Sequence, residues 1–432
     1  MKICLISREY PPETHIGGIA TYTYKTAGAL ARLGHEVHVV TAAWKPGADY
    51  EENGVWVHRF AEPRVKPREV QALAHARLVA AAIAHIPGRF DVIQACEWGG
   101  EACWYALAPR RRAPLVTRLA TPLFLIDRLN QHAQYGARGL AFRLMERLQT
   151  RRSDGIISPT HALAEIVCQT WKIAPERVTV VPTGMDPAPV RANADGPLPE
   201  AVRGSEYLLY FGRLEERKGV HILAQALPSV LSAHPHLKAV FVGEDHFYRG
   251  GSMREAITAM NAAWANRLVF LPRLPQRELF PIIKAARLVI LPSLWENLAN
   301  TCLEAMQLGR PVIATRRCGF EEVIQDGLSG FLVEPGDPDD LARRMLEALA
   351  DTALLERVGA GALRRVEEFA IDPMAARLAA YYKQLIGRWR HQPERLVPTS
   401  GNDGNDGNDG NAGSYRQGKT YDGTCATVQD LS

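Results

Sequence analysis

Two glutamates, Glu296 and Glu304, stand in the stretch SLWENLANTCLEAMQLG, the first in a polar loop and the second inside an apolar helical pattern. Carboxylates in such places accept hydrogen bonds from paired hydroxyls, as on a ribose or a hexose. Upstream, LLYFGRLEERKGVHIL ends a strand-like run at Gly212 and follows it with Arg213 and Lys218. A planar fork and a point charge together suit a diphosphate and can compensate charge on a departing phosphate. Near the N-terminus, Gly17 and Gly18 follow two prolines and precede Tyr22, Thr26, Ala29 and Leu33 at helical spacing. A helix starting there turns its amides and positive dipole end toward whatever fills the cleft, again a place for phosphate. The pair does not form G-x-G-x-x-G, so nicotinamide binding gains no support.

Each of these features also has a plain local reading. Thr301 with Glu304 fits the capping box Thr-x-x-Glu, in which the glutamate serves its own helix. Arg213 and Lys218 can pair with Glu215 and Glu216 as solvated surface charge. The two glycines can simply make a turn. Glu296 escapes the capping explanation because it precedes the helix by several residues.

The elements that must position these residues are short β-branched runs alternating with helical segments. KICLIS, EVHVVTA, VWVHRF, DVIQAC, PLVTRL, GIISPT and VTVVPTG come first; EYLLYFGR, LKAVFVGE, LVFLPRL, LVILPS, PVIATRR and GFLVEP form a second series. Such alternation predicts an α/β protein of two doubly wound, Rossmann-like parallel sheets with helices on both faces. The expected divisions are a first domain over 1–186, a polar linker over 187–205 and a second domain over 206–370. A closing helix over 371–390 and a flexible GND-repeat linker and tail over 397–432 complete them.

Composition sets outer limits. Among 432 residues, 47% are hydrophobic and 23% charged, which suits folded domains rather than wholesale disorder. The net charge of +4, from 51 basic and 47 acidic residues, is too even to point to nucleic acid. Seven cysteines without a C-x-x-C read as reduced core thiols rather than disulfides or a zinc site, which favours the cytoplasm. The sequence has no 18-residue apolar run. Two basic stretches, PRRRAP at 109–114 and RLMERLQTRR at 143–152, can draw a peripheral contact with the inner face of an anionic membrane. Glu146 interrupts the second, so a solvated face is the preferred reading.

In their order and spacing, YFGRLEERKG, VFVGE, LVFLPRLPQRELF, ARLVILPSLWENLANTCLEAMQLGRPVIAT and GFEEVIQDGLSGFLVEPGD resemble the C-terminal domain of family 4 retaining glycosyltransferases. PPETHIGGIATYTYKTAGALARLGHEVHVVT resembles their N-terminal domain, and the likeness covers about residues 1–390. The resemblance implies a GT-B fold with a cleft between the domains and a last helix crossing back to the first. It also implies transfer of a hexose-type sugar from a nucleotide diphosphate donor, UDP- or GDP-linked, with retention and without an obligatory metal or cofactor. Arg213 and Lys218 would hold the diphosphate, Glu304 the ribose hydroxyls and Glu296 the donor sugar. Amides of Leu298, Ala299, Asn300 and Thr301 would surround sugar and phosphate. Gly17 and Gly18 would approach the phosphate from the other domain, Gly212 and Gly243 would belong to the donor site, and the base would lie near Arg273 and Leu274.

One position departs from the pattern. Where the family often reads R-L-H-T-P, this chain reads RLATP, with Ala120 in place of a histidine near the donor sugar. This keeps two other readings open: a nucleotide-sugar-binding protein with weakened catalysis, and a GT-B sugar nucleotide epimerase. The acceptor is open among glycan, lipid-linked sugar, small molecule and peptide. His15, His161, Asp127 and Arg128 are loop candidates for acceptor or phosphate contact, with solvated or helix-starting roles as the plainer explanation.

Overall fold

Parallel strands covered by helices on both faces bury both rows of side chains, so near-continuous apolar runs are what such strands require. The computed structural model describes residues 1–12, 17–43, 49–66, 70–129, 136–298 and 300–391. Two main sheets result. The first contains β1 (Lys2–Ile6), β2 (Glu36–Ala43), β3 (Tyr50–Glu52), β4 (Val55–Ala61), β5 (Val92–Cys96), β6 (Leu115–Arg118), β7 (Gly155–Ser158) and β8 (Val178–Val180). Its order is β3-β4-β2-β1-β5-β6-β7-β8, and β3 alone runs antiparallel to its neighbour.

The second half contains β9 (Tyr207–Phe211), β10 (Lys238–Val242), a hairpin of β11 (Phe247–Tyr248) and β12 (Gly251–Ser252), then β13 (Leu268–Leu271), β14 (Leu288–Leu291), β15 (Val312–Thr315) and β16 (Phe331–Val333). Six of these form a parallel sheet in the order β13-β10-β9-β14-β15-β16. In each sheet the chain reverses its direction of winding beside its first strand, between β1 and β5 and between β9 and β14. Open α/β sheets hold ligands beyond the C-terminal strand ends at such switch points.

Residues Met1–His391 form one compact unit. The chain crosses between the sheets twice, and the crossings bond to each other: Met185 N donates to Phe369 O at 2.7 Å and Ile371 N to Met185 O at 3.0 Å. The helix Ile371–Arg390 then packs on the helix Gly18–Arg32, and Tyr382 Oη donates to Gln94 Oε1 on β5 at 2.7 Å. The stretch read as a plain linker holds a helix, Pro187–Asn193, started by the Asp186 side chain and by proline at its first position. The six described cysteines are free and buried. Among the described residues no helix is long and apolar enough to cross a membrane.

Candidate functional site

Two glycines end adjacent strands of the second sheet. Gly243, with φ 155°, follows β10, and a Cβ there would lie 1.8 Å from the carbonyl oxygen of Gly212, which follows β9. The turn Glu216–Lys218 then ends at Gly219, with φ 64° and no room for a Cβ, since one would stand 1.8 Å from Pro292 O. This close approach brings the turn against the loop that follows β14. Lys218 Nζ accordingly donates to Glu296 Oε2, and the two side chains are only 19% and 12% exposed.

Burial alone would push the Glu296 carboxyl up, but Lys218, and then Arg217, hold it below the usual carboxylate range. Burial lowers the Lys218 ammonium, with Glu296 opposing the shift. Arg213 is half exposed and pairs with Glu215 Oε1 at 3.2 Å, an oxygen that Arg217 also contacts at 2.9 Å. The surface-pairing alternative thus describes Arg213 as it stands, whereas Lys218 faces the loop of the E-x7-E stretch.

The helix after that loop spans Asn300–Gln307, which places Thr301 inside it rather than at its cap. The capping-box reading of Thr301 and Glu304 is therefore corrected. Glu304 lies a turn further along, half-buried, and burial pushes its carboxyl up to about 7 against the opposing ammonium of Lys25. Lys25 comes from the helix Gly18–Arg32 of the first half, with its Nζ 3.7 Å from Met185 Sδ. Gly17 precedes that helix and, like Gly18, has open space where a side chain would be. Leu298, Asn300 and Thr301 are half-buried around the helix start. Arg273 is exposed after β13 and stands 3.8 Å from Glu244, while Leu274 beside it packs on the core. Ala299, His15 and the tail 397–432 lie outside the described residues.

Ala120 is held through its backbone from both sides. Its N–H donates to the Glu97 carboxylate at 2.7 and 2.9 Å, and its carbonyl accepts from Asn297 Nδ2, next to Glu296. Thr160 Oγ1 donates to Asn297 Oδ1 at 2.8 Å, and Ala162 N donates to Glu322 Oε1 at 3.0 Å. Gly319 lies against the same bridge, where a Cβ would be 2.2 Å from Asn297 O. The E-x7-E loop of the second half is thereby tied to two loops of the first.

Glu97 is fully buried, and burial raises its carboxyl to about 7 despite the Ala120 amide. Glu146, also fully buried, accepts from Gly99 N at 3.1 Å and Leu123 N at 3.0 Å. Burial, with the charge of Glu97, pushes it up to about 8. Glu146 therefore does not belong to the exposed face of RLMERLQTRR, on which Arg147, Arg151 and Arg152 stand in solvent. In PRRRAP, Arg111 is likewise sunk in a bidentate pair with Asp154 at 2.7 and 3.0 Å. Asp127 accepts from Arg143 at 3.1 Å, and His161 opens the helix His161–Trp171 behind its cap Thr160.

Asn297, Thr160, Glu97 and Lys25 were not singled out from the sequence. A usable signal existed for two of them: Glu97 follows an apolar strand at the end where ligands bind, and Asn297 adjoins an acid with no capping role.

The two halves match separate family models, "Glycosyltransferase Family 4" over residues 16–189 and "Glycosyl transferases group 1" over 205–351. An uncharacterized glycosyltransferase of Methanocaldococcus jannaschii is 28% identical over 408 residues, covering 90% of this chain and all of that protein. A D-inositol 3-phosphate glycosyltransferase of Thermobispora bispora is 29% identical over 421 residues, covering 91% and 95% of the two chains. The structure of Anabaena HepE in complex with UDP-glucose superposes with a TM-score of 0.66 at 21% identity, covering 89% of this chain and all of that one. Two parallel-sheet halves, the matches across both and relatives of similar length named as glycosyltransferases lead to a single assignment: the chain is a transferase enzyme, a family 4-type glycosyltransferase of the GT-B fold.

Proposed function

We propose that the enzyme moves a hexose-type sugar from a nucleotide diphosphate donor, UDP- or GDP-linked, to an acceptor hydroxyl with retained configuration. The observation that carries this reading is the Lys218–Glu296 contact at the switch point of the second sheet, a cation for the diphosphate beside a carboxylate for the sugar. Glu304, one turn into the helix that follows, takes the ribose hydroxyls in this reading, and the complex of the similar fold of HepE with UDP-glucose supports a nucleotide sugar as donor. Arg213 swings from Glu215 to the diphosphate in this reading, and Gly17 and Gly18 bring helix amides to it.

The chemistry asks for no further protein acid. The bond from the anomeric carbon to the phosphate oxygen breaks, and its electron pair leaves with the nucleoside diphosphate. The acceptor oxygen attacks the same face and forms the new bond, while its proton passes to that departing phosphate oxygen. Lys218 and Arg213 stabilise the charge that develops there. No metal has a step in this scheme. A panel of nucleotide sugars read by product formation, with the anomer assigned by proton NMR, tests it. Transfer from a UDP- or GDP-sugar with retention is expected, and an inverted product overturns it.

Ala120 favours a second reading, a binding protein of weakened catalysis, because the backbone is pinned at both N–H and C=O and the methyl offers nothing to a sugar hydroxyl. Ala120→His distinguishes the two. A gain in transfer supports weakened catalysis in the chain as it stands, and unchanged transfer argues against Ala120 standing in the place of the family histidine. Formation of an epimeric nucleotide sugar without acceptor would instead favour the epimerase reading.

A further inference from the structure

We propose that the outward face of the helix layer in the first half docks on an anionic phospholipid bilayer. The helices Gln71–His85, Cys103–Leu107 and Gly136–Arg152 pack together around Ala72, Ala76, Cys103, Phe142 and Met145. Their other sides carry large apolar residues in solvent: Leu140 at 66% exposure, Leu144 at 62%, Trp104 at 43% and Leu107 at 42%. Leu140 and Leu144 stand one turn apart on one helix, so they present a joint ridge rather than scattered single residues.

Charge selects the occupant. The three helices contain one acid between them, Glu146, and it is fully buried and bonded to backbone amides. Arg77, Arg147 and Arg151 are exposed on the same helices, and Arg77 lies over the Trp104 ring at 5.8 Å. Arg143 on the same helix is neutralised by Asp127 at 3.1 Å. Arginines interleaved with exposed leucines and an indole match the layered chemistry of a membrane surface, phosphates outside and acyl chains just beneath. A second copy fits less well, because a symmetric contact sets like charges against one another with no acid to pair them. A polyanion would leave the leucines unused.

Flotation of the full chain with vesicles of phosphatidylcholine, with or without phosphatidylglycerol, tests the proposal independently of any donor. Binding to the anionic vesicles alone is expected, lost near 1 M salt where the screening length shrinks to about 3 Å. Arg147→Ala with Arg151→Ala, and separately Leu140→Ser with Leu144→Ser, should each lower the partition by about tenfold or more. Melting curves of both variants should match the parent, since none of the four side chains supports the core. Equal recovery with neutral and anionic vesicles overturns the proposal, as does parent-like binding by both variants. So does a concentration-dependent dimer abolished by the leucine pair, which would assign the face to a second copy.

Discussion

Lys218 and Glu296 are each other's counter-ion in a place with little solvent, so removing either leaves a charge without its partner. Lys218→Ala should therefore act twice. Turnover falls about a hundred- to thousandfold through the lost stabilisation of the leaving phosphate. The native state also loses on the order of 3 kcal/mol, the cost of breaking a buried pair from one side. Adding Glu296→Ala should return part of the stability and none of the turnover, a contrast read from denaturant melts beside rate assays. Glu304 gives a pH signature. Its carboxyl titrates near 7 rather than in the usual carboxylate range, so the folded chain holds a proton that the unfolded chain releases at lower pH. That burial costs nothing below the unfolded value, and stability declines as pH rises through about 7. If Glu304 takes the ribose hydroxyls as proposed, its ionised form is the stronger acceptor, so donor affinity should strengthen across the same interval. Calorimetric titration with UDP at pH 6 and pH 8, both nominal values bracketing about 7, checks it, and Glu304→Gln should flatten the dependence while raising the melting temperature most at the higher pH.

The loop after β14 is an element with three tasks: it presents Glu296, receives the Gly219 turn against Pro292, and binds the first half through Asn297. Asn297→Ala removes both the bond to the Ala120 carbonyl and the acceptor for Thr160, and leaves those groups to find other partners. Turnover should fall about ten- to hundredfold with the donor KM nearly unchanged, because the sugar and phosphate groups stay and only their alignment with the acceptor side loosens. A loss confined to KM would show that Asn297 serves the donor directly. The strands around this loop were legible in sequence because strands buried on both faces leave continuous apolar runs, from KICLI to FLV. Polar β3, with the sequence YEE, and the short hairpin after β10 gave no such run. Glu146 was misread for a related reason. A carboxylate among arginines looks like surface charge until the fold supplies the Gly99 and Leu123 amides that let it be buried. The Thr301–Glu304 capping motif failed by register, since the helix takes Asn300 as its own first residue. Contacts across the two halves, such as Asn297 with Thr160, join residues more than a hundred positions apart, and no local pattern encodes them.

At the scale of the molecule, the last helix makes the two halves depend on each other. Ile371–Arg390 leaves the second half at the Met185 crossing and supplies Tyr381, Tyr382, Leu378 and Leu385 to the core on one face of the first sheet. Tyr382 is fully buried and its hydroxyl bonds Gln94 on β5, a strand that ends beside Glu97 and the Ala120 loop. Tyr382→Phe keeps the ring and orphans one side of that bond, so it should cost about 1–3 kcal/mol of stability. Tyr382→Ala also opens a cavity and should cost about 3–5 kcal/mol. Because the ring touches no group of the Lys218–Glu296 side, donor affinity should survive the first change. Denaturation of Tyr382→Phe followed by both tryptophan emission and UDP binding checks the coupling. If the halves unfold as one, the two signals shift together. If the first half loosens alone, emission changes at lower denaturant while UDP binding persists, and the last helix then acts as a clasp on the first half rather than as part of a shared cooperative core.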